Sequence, residues 1–309
     1  MGRYPKTLME LESEFSTEAA CREYLAGLRW PQGFRCPRCQ GQKAWEDRAG
    51  LFRCTACDYK VSVTAGTIFE RTRKPLVLWF RAIWWVTSQK TGASAKGVQR
   101  VLGLGSYETA WTWLHKLRRA MVRPGRDRLN GAVDVDETYV GGVWKGKRGR
   151  GTEGKTLVII AAEHDGEGIG RIRLAQVPDQ RSRSFDKAVR ASVEPGSLVR
   201  TDGLKSYNGL KSLGYRHKVI RKTQTLGDNL LPRCHRVASL LKRWLLGTHQ
   251  GAVSHEHLDY YLDEYTFRFN RRTSRHRGLL FYRLLQQAMA TEPTTYRDIV
   301  KGVQDSHKK

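Results

Sequence analysis

Ala132-Val133-Asp134-Val135-Asp136-Glu137-Thr138-Tyr139-Val140 is the stretch on which the fold turns. Apolar and polar residues alternate in it with the two-residue period of a β-strand. Asp134 and Asp136 share one face of that strand, and Glu137 points to the other, where it reads as a structural or surface charge. A glycine-rich basic loop, 141–154, follows. Lys155 to Ala162 is a continuous apolar strand and Gly170 to Val177 a third, so the three read as an antiparallel meander. Residues 182–192 read as a helix. Leu198-Val199-Arg200-Thr201-Asp202 is a short strand ending in an acid, 204–210 a short helix, and Lys218-Val219-Ile220 a last brief strand. From Cys234 the apolar residues take helical spacing: Val237, Leu240, Leu241, Trp244 and Leu245, then Leu258, Tyr261, Leu262, Tyr265 and Phe269.

Three strands, helix, strand, helix, strand, helix is the order of an RNase H-like domain, and the fold class is α/β (α+β) with a mixed sheet. In that sheet the first and fourth strands are neighbours, so Asp136 and Asp202 face each other. Hard carboxylate oxygens at such a separation suit Mg²⁺ or Mn²⁺. A pair of these ions roughly 3.5–4 Å apart serves phosphodiester chemistry. Asp202 precedes Gly203 and also reads as a turn former.

Working back toward the N-terminus, Pro124-Gly125-Arg126 marks a boundary. Ahead of it lie Cys36-Pro37-Arg38-Cys39 and Cys54-Thr55-Ala56-Cys57, with fourteen residues between the pairs. Cys36, Cys39, Cys54 and Cys57 at that spacing predict a structural Zn²⁺ in a ribbon, with Phe34, Trp45, Phe52 and Tyr59 as its small core. Cys21 and Cys234 stand alone and read as buried thiols. Pro75 opens a helix through Lys90 whose Leu76, Trp79, Phe80 and Trp84 form a core stripe. Ser94 to Leu102, the turn Gly103-Leu104-Gly105-Ser106, and a longer helix from Tyr107 to Met121 have the layout of a helix-turn-helix. Thr109, Thr112, Lys116 and Arg119 are its candidate DNA-facing residues. The expected divisions are an N-terminal helical segment (1–32, one short helix), a zinc ribbon (33–64), a helix-turn-helix region (65–125), an RNase H-like catalytic domain (126–290) and a basic C-terminal tail (291–309).

The 309-residue chain carries 55 Lys and Arg against 30 Asp and Glu, a net charge of +25, which points to a polyanionic partner. The basic clusters at Lys145–Arg150 (with Lys145, Lys147 and Arg148), Arg216–Lys222 and Arg268–Arg277 point to phosphate contacts. A membrane partner is disfavoured: the most hydrophobic window, Leu76 to Val86, is broken by Arg81 and too short to span a bilayer. The N-terminus is polar and acid-rich, without an apolar leader, so a reducing, cytoplasmic and nucleoid-associated setting is expected.

Taken together, the cysteine quartet, Asp136-Glu137-Thr138-Tyr139-Val140-Gly141-Gly142, Thr201-Asp202-Gly203-Leu204-Lys205-Ser206-Tyr207, Leu241-Lys242-Arg243-Trp244-Leu245-Leu246-Gly247-Thr248-His249 and Phe267-Arg268-Phe269-Asn270-Arg271-Arg272 resemble the bacterial insertion-sequence transposases of the ISXO-like group (IS family 1595). The resemblance runs from about residue 15 to 285. It implies a DDE-type nuclease that cuts and joins double-stranded DNA at transposon ends (terminal inverted repeats, then target DNA), as a homodimer or larger assembly. It makes Asp136 the first catalytic acid, in preference to Asp134, and Asp202 the second. The slot for a third acid falls on His235, with Lys242 in the basic position seven residues on. Neutral imidazole can bind a divalent ion and suits Mn²⁺ better than Mg²⁺. Glu264 is the alternative third ligand. Lys242 and Arg243 are expected to hold the DNA backbone, and Asn270, Arg271 and Arg272 to line the strand path. Because the third ligand is not a carboxylate, a DNA-binding regulator or a domesticated, silent derivative is the other reading.

Overall fold

The computed structural model describes residues 3–123, 125–141, 155–221, 229–251 and 253–301. The expected DNA contacts Lys145, Lys147 and Arg148 lie outside the described residues. The chain forms two units, 1–123 with 274–309, and 124–273.

The first unit opens with α1 (Leu8–Glu14) and α2 (Glu18–Arg29), where one helix was expected. Thr7 and Thr17 each cap a helix by accepting an amide N–H, and this splits the segment in two. The ribbon is a three-stranded antiparallel sheet of β1 (Ala44–Glu46), β2 (Leu51–Cys54) and β3 (Lys60–Ser62). Its two cysteine turns repeat one backbone pattern. The amide of Gln40 donates to Cys36 O and that of Asp58 to Cys54 O; the amide of Cys36 donates to Gly41 O and that of Cys54 to Tyr59 O. Gln40 and Asp58 both take positive φ, 62° and 60°, which curls each turn around its sulfurs. The ribbon core differs from expectation. Trp30 contacts Phe34 and Phe52 with ring centroids 4.9 Å apart, whereas Trp45 and Tyr59 are exposed. Trp45 is instead covered by the Arg53 guanidinium, a cation–π contact.

Next come α3 (Leu76–Ser88), α4 (Ala95–Leu102) and α5 (Tyr107–Ala120). Gly103, at φ 61°, ends α4 in the left-handed conformation and turns the chain toward Ser106, the N-cap of α5. The buried stripe of α3 meets partners from both directions. Trp79 stacks on Trp113 at 3.9 Å, and Phe80 packs edge-on against Phe15 at 4.7 Å.

The second unit is built on β4 (Ala132–Val140), β5 (Thr156–Asp165), β6 (Gly168–Val177), α6 (Ser182–Ser192), β7 (Leu198–Thr201), β8 (Arg216–Val219), α7 (Pro232–His249) and α8 (Leu258–Phe269). The sheet order is β6-β5-β4-β7-β8. β4, β5 and β6 pair antiparallel, and β7 joins β4 in parallel, with Asp134 opposite Arg200. This is the RNase H-like arrangement expected from the element order. β5 is buried along Thr156–Ala162 because it is covered on both faces. Val158, Ile160 and Ala162 pack with α7 and α8, and Leu157, Ile159 and Ala161 with α6, Tyr207 and Leu210.

The remaining helices, α9 (Arg277–Ala290) and α10 (Tyr296–Val300), belong to the first unit. The expected catalytic domain ran to residue 290, whereas the second unit ends at residue 273. Leu280, Phe281, Leu284, Leu285 and Ala288 form a buried face on α9, and Phe281 contacts Phe15, Phe80 and Trp84. That apolar stripe finds its complement among the N-terminal helices rather than on the sheet.

The motif at the end of α8 covers the edge strand β6. Asn270 Oδ1 accepts the Ile172 amide at 2.7 Å, and its Nδ2 donates to Ile172 O at 3.1 Å. Arg272 donates to Gly170 O at 3.2 Å and to Ile169 O, and lies over the Phe269 ring. Arg271 donates to Phe267 O and lies over that ring. Unpaired strand-edge groups otherwise invite pairing with another chain. The three residues expected along a strand path thus have structural partners inside the unit. Asn270→Ala is expected to cost about 2 kcal/mol in urea unfolding, two hydrogen bonds' worth, and to leave DNA affinity unchanged. An unchanged stability with weakened DNA binding would return Asn270 to the strand path.

Candidate metal and catalytic centre

Three side chains surround one buried carboxylate in the second unit. Asp134, fully buried, accepts a hydrogen bond from His164 Nε2 at 2.7 Å. Arg200 Nε lies 3.4 Å from the same oxygen and Arg233 Nη1 3.8 Å from the other. Arg233 also donates to Gly166 O and Gly168 O in the β5–β6 turn, at 2.9 and 2.8 Å. A buried anion survives only when paired in this way. Asp134 is therefore committed to joining β4, β5, β7 and α7, and is not an open ligand.

Two residues beyond each of three network members stands a site residue: Asp136 after Asp134, Asp202 after Arg200, His235 after Arg233. Asp136 is on β4, with its side chain on the α7 face. Asp202 follows the last residue of β7, and Gly203 (φ 93°) turns the chain there; a Cβ at Gly203 would approach Val219 to 2.7 Å. One Asp202 oxygen accepts the Leu204 amide at 3.0 Å, so the turn-forming role and the site role coexist on one carboxylate.

Asp136, Glu137 and Asp202 each place an oxygen so that all lie within 4.8 Å of one another. Glu137 is a correction: it was expected to point away. The β4–β7 ladder runs only from Ala132 to Asp134, so beyond it the sheet is open beside β4. There a residue of the opposite face can still approach the end of β7. The buried Tyr207 hydroxyl holds Glu137 by donating to Oε2 at 2.9 Å. Burial, then the charges of Asp202 and Asp134, raise Asp136 to about 6 against a hydrogen bond from the Glu137 amide. Burial, then Asp136 and Asp202, raise Glu137 to about 7 against the Tyr207 hydrogen bond.

His235 Nε2 lies 3.3 Å from Asp136 Oδ2, and Nδ1 lies 2.6 Å from Asn229 Oδ1. An amide oxygen accepts, so Nδ1 is the donor in that bond, and Nε2 is the ring nitrogen on the Asp136 side. This is how histidine is oriented for a metal. The 3.3 Å separation suits two adjacent ligands of an ion with bonds of about 2.1–2.3 Å. Asn229 gave no signal in sequence, being six residues from its partner and outside any motif. Glu264, the alternative ligand, is buried and paired with Arg268 at 2.8 Å; it is not in the carboxylate cluster. Lys242 and Arg243 are exposed on α7, two turns past His235. Partial burial, then Lys155, lowers the Lys242 pKa.

In the first unit the four cysteines are free thiols whose sulfurs all lie within 4.8 Å of one another. Cys36–Cys57 and Cys39–Cys54 are 3.7 and 3.6 Å apart. A tetrahedron with Zn–S bonds of about 2.3 Å has edges of about 3.8 Å, so the set fits zinc with no open position. Cys21 and Cys234 are both buried. On α5, Thr109, Thr112, Lys116 and Arg119 are half-buried rather than exposed. Lys116 Nζ donates to Ile68 O at 3.3 Å, and burial lowers its pKa. Trp111 on the same helix meets Tyr296 of α10. The helical pair stands where it was expected, but α5 is packed on several sides and does not present the four residues as a free face.

The raised carboxyls set a pH dependence. With folded values near 6 and 7 against unfolded ones of about 3.9–4.3, the folded state holds protons that the unfolded state has lost. Without added divalent metal, stability is expected to fall as pH rises from about 4 to 7 through these groups. Mn²⁺ binding near pH 6 is expected to release protons, readable by calorimetry in buffers of different ionisation heat. Proton-neutral binding would contradict the assignment.

Residues 128–270 match the ISXO2-like transposase domain family, and residues 16–60 the transposase zinc-ribbon domain family. An "uncharacterized protein in transposable element ISH50" of Halobacterium salinarum is 30% identical over 280 residues, covering 82% of this chain and 91% of that protein. Solved structures of a pre-cleavage Mos1 transpososome and of the Mos1 strand transfer complex align at TM-scores of 0.28 and 0.26, with 12% and 13% identity. Each covers 68% of this chain and 76% of the other. Scores that low carry no argument. The two domain matches and the near full-length relative carry the assignment, and the chain belongs to the ISXO2-like (IS1595) transposase family.

Proposed function

We propose that the protein is a DNA transposase that binds insertion-sequence ends and performs divalent-metal-dependent cleavage and strand transfer. One observation carries the reading: Asp136, Glu137 and Asp202 converge beside the open end of the β4–β7 ladder, with His235 Nε2 3.3 Å from Asp136 Oδ2. Three carboxylates so close repel one another and favour a cation between them.

Asp136, Asp202 and His235 would hold the catalytic Mg²⁺ or Mn²⁺. Bound there, such ions supply Lewis acidity to an attacking oxygen and to the leaving 3′ oxygen of a phosphodiester. Asn229 keeps the His235 lone pair available by accepting from Nδ1. Tyr207 orients Glu137 through its hydroxyl and leaves the second Glu137 oxygen for the cluster. Lys242 and Arg243, exposed on the His235 helix, are placed to hold the DNA backbone by charge. The ribbon Zn²⁺, closed by four thiolates, shapes the first unit and takes no part in the chemistry. Bringing two element ends together calls for at least a dimer on DNA.

The test uses purified protein and duplex DNA carrying the element's own ends, with Mg²⁺ and then Mn²⁺. Asp136→Asn and Asp202→Asn are expected to abolish strand cleavage while preserving DNA binding. Asn229→Ala is expected to lower activity about 10–100-fold, as loss of a histidine-orienting partner does. His235→Ala is expected to impair cleavage far more than Glu264→Gln. Undiminished cleavage by either aspartate variant contradicts the site. Binding without cleavage by the native protein, in either metal, points to a regulator.

A further inference from the structure

A cleft of about 370 Å³ opens in the first unit between α2, the β1–β2 turn, the end of β3 and the segment entering α3. Arg22, Arg73 and Lys74 line it, together with Gly50, Thr64 and the start of α3. Arg22 has an expected partner in Glu18, one helical turn earlier on α2. Glu18 is turned away: its Oε1 accepts the Val77 amide at 3.0 Å, in the first turn of α3. Arg22 is left half-buried, with neither hydrogen bond nor ion pair to any described residue, and its Nε is shielded from solvent as well. The side chain lies against Gly50, at φ 77°, where a Cβ would come within 2.8 Å of Nε. Arg73 and Lys74 are exposed and, among the described residues, have no carboxylate at ion-pair distance.

A half-buried guanidinium without an acceptor is unfavourable, and an oxyanion with two oxygens for its fork removes the cost. Among the described residues nothing supplies that anion: the carboxylate that lines the cleft, Glu18, is engaged by α3. We infer that this cleft is a docking site for a backbone phosphate of the DNA, with Arg22 as the inner contact and Arg73 and Lys74 at the rim. The inference rests on the transposase reading, which makes DNA the phosphate donor, and on the +25 charge of the chain. The site fixes the register of the ribbon and first helices on the duplex without reading sequence. It is independent of the carboxylate centre, which belongs to the second unit.

The experiment compares the full-length, zinc-loaded protein with Arg22→Met, which keeps the stem that packs on Gly50 and removes the charge. Arg283→Gln, an exposed arginine on α9, is the control. Duplex affinity is measured by anisotropy across a salt series. Arg22→Met is expected to bind about tenfold more weakly at moderate salt. Its log–log salt slope is expected to be shallower by about one, the signature of one lost phosphate contact. Its melting temperature in the absence of DNA is expected to be unchanged or higher, because an unpaired charge has gone. The control is expected to keep the native slope.

A native slope and affinity in Arg22→Met overturn the inference while leaving the transposase reading intact. So does weaker binding with an unchanged slope and a lowered melting temperature, which marks Arg22 as a packing residue. If inorganic phosphate alone raises the native melting temperature through Arg22 while DNA binding ignores the substitution, the cleft takes free phosphate and the inference fails. A native protein that binds no duplex overturns the transposase reading and this inference with it.

Discussion

The buried Asp134 carboxylate is the constraint on which the rest of the second unit depends. It lies at the crossing of four elements and gathers His164 from β5, Arg200 from β7 and Arg233 from α7 around one anion on β4. Removing one partner from such a network leaves uncompensated buried charge, at a cost of about 3–5 kcal/mol. That makes the relative placement of the elements close to all-or-none. The three site residues stand two positions beyond three network members, within one repeat of a strand or about half a helical turn. Asp136, Asp202 and His235 inherit their mutual geometry from pairings made on a carboxylate that is itself out of reach of solvent.

Electrostatics at the site runs opposite to electrostatics beneath it. Asp134 is compensated by cations, whereas Asp136 and Glu137 are pushed up to about 6 and 7 by burial and by neighbouring carboxylates, Asp202 among them in both cases. Such tension is common where a site awaits a charged partner. The zinc ribbon shows the contrasting arrangement. Its four sulfurs are already spaced for one tetrahedral ion, and mirrored backbone turns hold them there. The two sites differ in chemistry as in geometry: four soft sulfurs spaced for a closed tetrahedral ion, and hard oxygens with one imidazole beside the open end of the β4–β7 ladder.

Much of this was legible in the amino-acid order. The alternation of 132–140 marks β4 to the residue, and the continuous apolar run of β5 marks a strand covered on both faces. The Cys-x-x-Cys pairs declare their geometry because a metal dictates it. What the residue order hid were consequences of tertiary pairing. Glu137 reads as outward by strand parity, yet the β4–β7 ladder stops three residues earlier and Tyr207, seventy residues on, holds its carboxylate. Asn270 and Arg272 read as part of a basic, DNA-facing run, but their donors and acceptors match the bare edge of β6. Lys116 reads as an exposed cation by helical position, and it is drawn onto Ile68 O because α5 is packed on several sides. α9 fell inside the span expected for the catalytic domain, and only the fold reveals which unit its apolar stripe completes.

The central claim is that Asp136, Asp202 and His235 form one divalent-metal centre with imidazole coordination. Pulsed EPR of the Mn²⁺-loaded protein, with and without ¹⁵N-labelled histidine, tests it most directly. The account predicts nitrogen modulation from one directly bound imidazole that changes isotope with the label and disappears in His235→Ala. Bound Mn²⁺ with oxygen ligands alone, or nitrogen modulation that survives His235→Ala, would contradict it.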